Sequence, residues 1–286
     1  MGTTGTLVMG ILNLTPDSFS DGGRFTHQNT TDPLTVLAEA RRMVDQGAHI
    51  LDLGAESTRP GAEPVSETDE QRRLLPALTA LLAAHLPVRI SVDTRHPATA
   101  HAALTLAAEA GTELIINDIS GILTHPQMPQ VVAEHGCEVV ITHNRGDAQT
   151  MQSKTDYDDV VADVITELHQ IRSWYLEAGV PQENIILDPG IGFAKTHDQN
   201  WELVRGLNHL VSQGHRVLFG ASRKGFLGTL LAEETGTPRP PEGRDTATAV
   251  LSAHAASAGC WAVRVHTVEP SLDAIRVAQV VQYQPA

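Results

Sequence analysis

Cysteine is nearly absent from this chain. The two present, Cys137 and Cys260, lie far apart, each in an apolar stretch. That argues against a disulfide framework and a cysteine-built zinc site, and leaves buried free thiols as the expectation. No apolar run approaches the roughly 18 residues of a membrane span, so no membrane partner is expected. Met1–Leu7 has no basic region followed by an apolar one, so no signal peptide is expected and the protein is assigned to the cytoplasm. Cations are scarce: 20 Lys and Arg against 34 Asp and Glu give a net charge of −14. Such a surface repels nucleic-acid backbones and anionic membranes, so an anionic ligand must be met by a local cluster of cations. GxGxxG after the first apolar run, Walker A, HExxH and CxxC are missing as well, which removes the common dinucleotide, P-loop and zinc signatures. The 14 histidines stand mostly isolated among helical residues and read as solvated surface.

What is present is a repeating pattern. Short runs rich in Val, Ile and Leu occur at Leu7–Leu12, His49–Leu53, Val88–Val92, Glu113–Ile116, Glu138–Ile141, Asn184–Leu187, Arg216–Phe219 and Ala262–Val265. They show little polar alternation, as strands covered on both faces should. Between them the period becomes helical, as along Leu74, Leu75, Leu78, Leu81 and Leu82. Pro33, Pro97 and Pro270 suit first turns of helices, and Gly47, Gly111, Gly136, Gly179 and Gly214 suit left-handed C-terminal positions before strands. Pro76 interrupts the Leu stripe, which predicts a kink or a late helix start. Eight strand–helix units in about 250 residues predict a single-domain (β/α)8 TIM barrel spanning residues 1–286. Glu233–Glu242 reads as a loop inside the seventh unit.

Each apolar run is followed by polar residues. These are Asn13 with Asp17; Glu56 through Gly61; Asp93; Asn117-Asp118; His143-Asn144-Arg145; Asp188; Ser222-Arg223-Lys224; and Arg264 with His266. In a barrel the strand C-termini converge on one face, so these residues are predicted to share one site. Asp93, Asn117 and Asp188 suit a flat heterocycle read edge-on. Arg59, Arg264, His266 and Lys224, read as cations, suit a phosphate or diphosphate. Asn13 offers a neutral oxygen of the kind Mg²⁺ accepts beside substrate phosphates.

At these positions the chain resembles the dihydropteroate synthases. Met9 through Gly23 is similar to the family's first signature and Glu56 through Ala62 to its second. Asp93-Thr94, Asn117-Asp118, Asp188 through Phe193, Ser222-Arg223-Lys224 and Arg264-Val265-His266 follow in the family's order. The resemblance implies condensation of 6-hydroxymethyl-7,8-dihydropterin diphosphate with 4-aminobenzoate, giving 7,8-dihydropteroate and diphosphate. It implies that Asp93, Asn117, Asp188 and Lys224 hold the pterin and that Thr58, Arg264 and His266 hold the diphosphate. Asn13 would ligate Mg²⁺, and Arg59, Pro60, Phe193 and Ser222 would shape the aminobenzoate pocket. Asp93, Asp188, Lys224, Arg264 and His266 form the implied catalytic set, in a protein that pairs as a homodimer. Two departures stand out. Ala55 replaces a second Gly, and Thr142-His143-Asn144-Arg145 replaces a Met-His pair, altering the expected floor of the pterin pocket. The alternatives are a non-catalytic paralogue and a methyltetrahydrofolate:corrinoid methyltransferase-like barrel.

Overall fold

A computed structural model of the protein describes residues 5–14, 26–27, 30–56, 62–234 and 236–282. Eight parallel strands close into a barrel: β1 (Leu7–Asn13), β2 (Ile50–Gly54), β3 (Arg89–Asp93), β4 (Leu114–Asp118), β5 (Glu138–Thr142), β6 (Ile185–Asp188), β7 (Arg216–Phe219) and β8 (Ala262–Val265). All eight lie where the apolar runs predict them, within a residue or two. Thr26–His27 and Thr30–Thr31 form a small antiparallel ladder outside the barrel.

Helices cover the outside: α1 (Pro33–Asp45), α2 (Glu67–Ala83), α3 (Pro97–Glu109), α4 (Met128–His135), α5 (Val160–Glu177), α6 (His197–Arg205), α7 (Leu207–Val211), α8 (Gly225–Leu230), α9 (Asp245–Ser257) and α10 (Val268–Gln282). Their starts follow local chemistry. Asp32 accepts from the Leu34 and Thr35 amides with Pro33 at the first helical position, and Thr196 with Gln199 forms a reciprocal capping box. The five glycines expected to end helices all take positive φ. The late start expected at Pro76 does not occur, because Ser66 caps α2 upstream and the helix continues through the proline.

The barrel interior explains where the polar residues sit. Met9, Ile50, Ile115, Val140, Ile186, Leu218 and Ala262 form an apolar layer separate from the outer core. Strand side chains alternate, so the residue two positions on faces the same interior. Those residues include Asp52, Asn117, Thr142, Asp188 and Arg264. An apolar plug therefore carries a polar layer above it. The ladder register keeps the tips level: Asn13 pairs with Gly54, Gly54 with Asp93, Asp93 with Asn117, and Thr142 with Asp188. Below the plug, Glu138 joins Arg89 and Arg216, both of which stand over the Trp261 ring.

Candidate active site

Above the polar layer lies a cavity of about 380 Å³ at the C-terminal end of the barrel. Asn13, Asp93, Asn117, Asp188, Phe193, Ser222, Lys224, Arg264 and His266 all line it. Six separate strands or their following loops supply these nine residues. Thr58, Arg59 and Pro60, together with Asp17, lie outside the described residues.

Arg264 organises the centre. Its Nε donates to Asp52 Oδ2 at 2.6 Å and its Nη2 to Asp93 Oδ2 at 2.7 Å. Asn117 Nδ2 donates to the same Asp52 oxygen at 3.2 Å. The acid set and the cation set are thus interlocked rather than separate, and Arg264 Nη1 remains without a partner among the described residues. Burial pushes the Asp93 carboxyl up, against the pull of Arg264 and with a further push from Asp52. Burial raises Asp188 too, although its Oδ1 accepts from the Gly190 amide at 2.7 Å and Lys224 acts in the opposite sense. Asn117 Oδ1 and Thr142 Oγ1 are buried with no hydrogen-bond partner among the described residues. Those two atoms give the cavity polar capacity for a ligand's edge.

The cationic side follows strand β7. Burial, followed by the Arg264 charge, lowers the Lys224 ammonium to about 8, and its Nζ stands 4.1 Å from the centre of the Phe193 ring. His266 differs from the cation expected of it. Burial, reinforced by Arg223 and Arg264, pushes the imidazole down to about 3, so it is neutral at neutral pH. Its Nδ1 lies 2.9 Å from Ser222 Oγ, and Ser222 in turn accepts from the His266 amide at 3.1 Å. Arg223 pairs with Asp245 at 2.7 Å, held in a left-handed backbone with φ of 58°.

Two residues escaped the sequence reading. Asp52 is completely buried beneath Arg264. Its signal was available, because a charge inside an apolar strand is the criterion that singled out Arg264. Lys195, almost fully buried, lines the cavity from the loop after β6. His143, expected among the strand-tip residues of the site, does not line the cavity: it is fully buried beside it, and burial drops it to about 4. Of the two departures, Thr142 does reach the cavity floor, whereas Ala55 packs into the outer core.

The chain is similar to known proteins over nearly all its length. The family described as "pterin binding enzyme" matches residues 9–266. The dihydropteroate synthase of Mycobacterium leprae is 44% identical over 271 residues, 94% of this chain and 91% of that protein. Among solved structures, dihydropteroate synthase of Yersinia pestis in complex with a sulfonamide drug superposes with a TM-score of 0.87 at 34% identity, covering 97% of this chain and 94% of that one. The Xanthomonas albilineans enzyme with 4-aminobenzoic acid gives a TM-score of 0.85 at 38% identity, covering 99% and 95%.

Proposed function

Because the chain belongs to the dihydropteroate synthase family of pterin-binding enzymes, we propose that it joins 6-hydroxymethyl-7,8-dihydropterin diphosphate to 4-aminobenzoate. The products are 7,8-dihydropteroate and diphosphate. One observation carries this reading: Asp93, Asn117, Asp188, Lys224 and Arg264 line a single cavity at the barrel mouth. The carboxyls and the amide suit the donors of a pterin edge, and Lys224 and Arg264 Nη1 suit the departing anion.

The reaction needs no strong base. The methylene C–O bond breaks with its electron pair on the diphosphate, leaving a cation stabilised by the pterin ring. The amine of 4-aminobenzoate then attacks the methylene carbon, and as the C–N bond forms the nitrogen passes its proton to the departing diphosphate or to water. Asp93 and Asp188, raised by burial, ionise more readily beside a ring that develops positive charge. Arg264, with its carboxylate partners fixing its orientation, offers Nη1 to the leaving group. His266 and Ser222 contribute hydrogen bonds rather than charge. Phe193 and Ser222, with Thr58, Arg59 and Pro60, would shape the aminobenzoate pocket and exclude water that competes for the cation.

Asn13 fits a magnesium site. It lines the cavity at the tip of β1 and offers a neutral amide oxygen, one ligand for an ion that otherwise keeps water and binds substrate phosphate. Mg²⁺, when bound there, would neutralise diphosphate charge.

Residues 1–286 are read as one pterin-binding barrel domain. It works in the cytoplasm, where its two free thiols stay reduced. A second copy of the chain is the proposed partner. Helices α9 and α10 pack together and expose Val250, Val277, Val280 and Val281, an apolar face suited to pairing. Neither nucleic acid nor membrane is a proposed partner. Among the described residues no helix is long and apolar enough to cross a bilayer.

The test is direct. The purified protein with both substrates and Mg²⁺ is expected to form 7,8-dihydropteroate and diphosphate in equal amounts. A protein that binds the pterin diphosphate without forming product refutes the reading.

A further inference from the structure

The loop between β6 and α6 runs from Pro189 to Thr196 and carries Phe193, one wall of the cavity. Its backbone is unusual at Ala194, a non-glycine residue with φ of 51°. Such a conformation costs energy and persists where its surroundings hold it. Two side chains do so. Tyr157 donates its hydroxyl to Ala194 O at 3.0 Å. From the inside, Lys195 Nζ donates to Gly190 O at 3.1 Å and to Phe193 O at 2.9 Å.

The third contact of Lys195 ties the loop to the barrel. Nζ lies 2.9 Å from His143 Nδ1. The Glu167 carboxylate only accepts, so Nε2 carries the ring proton and donates to Glu167 Oε2 at 3.0 Å, which leaves Nδ1 to accept from Nζ. Glu167 is held by Arg145, whose guanidinium stacks 3.6 Å from the Tyr157 ring centre. The inner and outer clamps on the loop therefore meet in one network anchored on β5 and α5. The approach is close: a Cβ added to Gly190, itself at φ of 65°, would fall 1.9 Å from His143 O.

We propose that Lys195 is a positioning residue that sets the aminobenzoate wall, by fixing the strained Gly190–Ala194 backbone that presents Phe193 to the cavity. This rests on the synthase reading above. Lys195 takes no part in bond making, since its Nζ contacts are committed to Gly190 O, Phe193 O and His143. Its effect falls first on the second substrate, because Asp93 and Asn117 stand on other strands and Asp188 keeps its bond from the Gly190 amide, which Lys195 does not touch.

The experiment compares wild type, Lys195→Met, and Lys195→Met combined with Ala194→Gly in steady-state kinetics with both substrates. Glycine adopts positive φ without strain, so the second change restores the loop's conformation without restoring the clamp. In Lys195→Met the KM for 4-aminobenzoate is expected to rise about tenfold, while that for the pterin diphosphate stays within about twofold. The double variant is expected to recover most of the loss. If Lys195→Met does not fold, Lys195→Gln, which keeps a donor near the loop carbonyls, carries the same comparison with a smaller rise expected. An unchanged KM for 4-aminobenzoate, an equal rise for both substrates, or no recovery in the double variant overturns the assignment. No product from wild type refutes the parent reading instead, and this assignment falls with it.

Discussion

Arg264 and Asp52 meet at 2.6 Å inside the barrel, although 212 positions separate them in the chain. Asp52 has no exposure, and its second oxygen lacks a partner among the described residues. Replacing Asp52 by Asn keeps the shape and removes the charge that orients the guanidinium. With Asp93 still paired to Arg264, the expected loss of stability is about 2 kcal/mol. Urea denaturation reads that loss. Kinetics should show a raised KM for the pterin diphosphate and little change for 4-aminobenzoate.

Asp188→Asn probes the carboxyl nearest the Lys224 side of the cavity. The Gly190 amide bond at 2.7 Å can be kept by the Asn oxygen, so the fold should survive with a melting temperature close to wild type. Charge compensation for the ring is lost, and kcat/KM should drop on the order of a hundredfold. Wild-type kinetics in this variant would remove Asp188 from the mechanism.

Glu70 gives a pH signature in stability. It is fully buried, accepts from Thr94 Oγ1 at 2.9 Å, and burial raises its carboxyl to about 7. Folding therefore favours the protonated form. The contribution is complete below the unfolded value near 4.5 and is lost as pH rises through about 7. Glu70→Gln removes the titration and keeps an acceptor for Thr94. Relative to wild type it should gain on the order of 2–3 kcal/mol between pH 5 and pH 8. Denaturation series at both pH values check this, and a difference that does not change with pH contradicts it.

Lys224 gives a pH signature in binding. Burial lowers its ammonium to about 8, so the free enzyme loses this cation as pH rises through that value. The KM for the pterin diphosphate should climb above about pH 8 in wild type. In Lys224→Arg it should stay level to beyond about pH 9, because a guanidinium remains charged there. Identical pH profiles would separate Lys224 from the substrate.

Much of this architecture was legible in the sequence because its signals are local. Val-, Ile- and Leu-rich runs mark strands buried on both faces, and glycines such as Gly136 and Gly179 mark helix ends. Asp93, Asn117 and Asp188 follow apolar runs, and parallel register then brings them to one level. What stayed hidden depends on distant pairing. Lys195 becomes a buried clamp only when the loop folds over His143, and the full burial of His143 follows only when Gly190 packs over it. The neutral state of His266 arises from burial between Ser222 and the Arg223 and Arg264 charges, which no spacing encodes. Asp52 carries a local signal, a charge inside an apolar strand as at Arg264, but it lies in a strand interior rather than at a strand end.

The central claim is that one cavity seats both halves of the product. A crystal structure of the protein with 7,8-dihydropteroate tests it most directly. The account predicts the pterin ring among Asp93, Asn117 and Asp188, with the aminobenzoate half against Phe193 and Ser222. A product molecule seated outside the barrel mouth, away from Asp93 and Asp188, would contradict it.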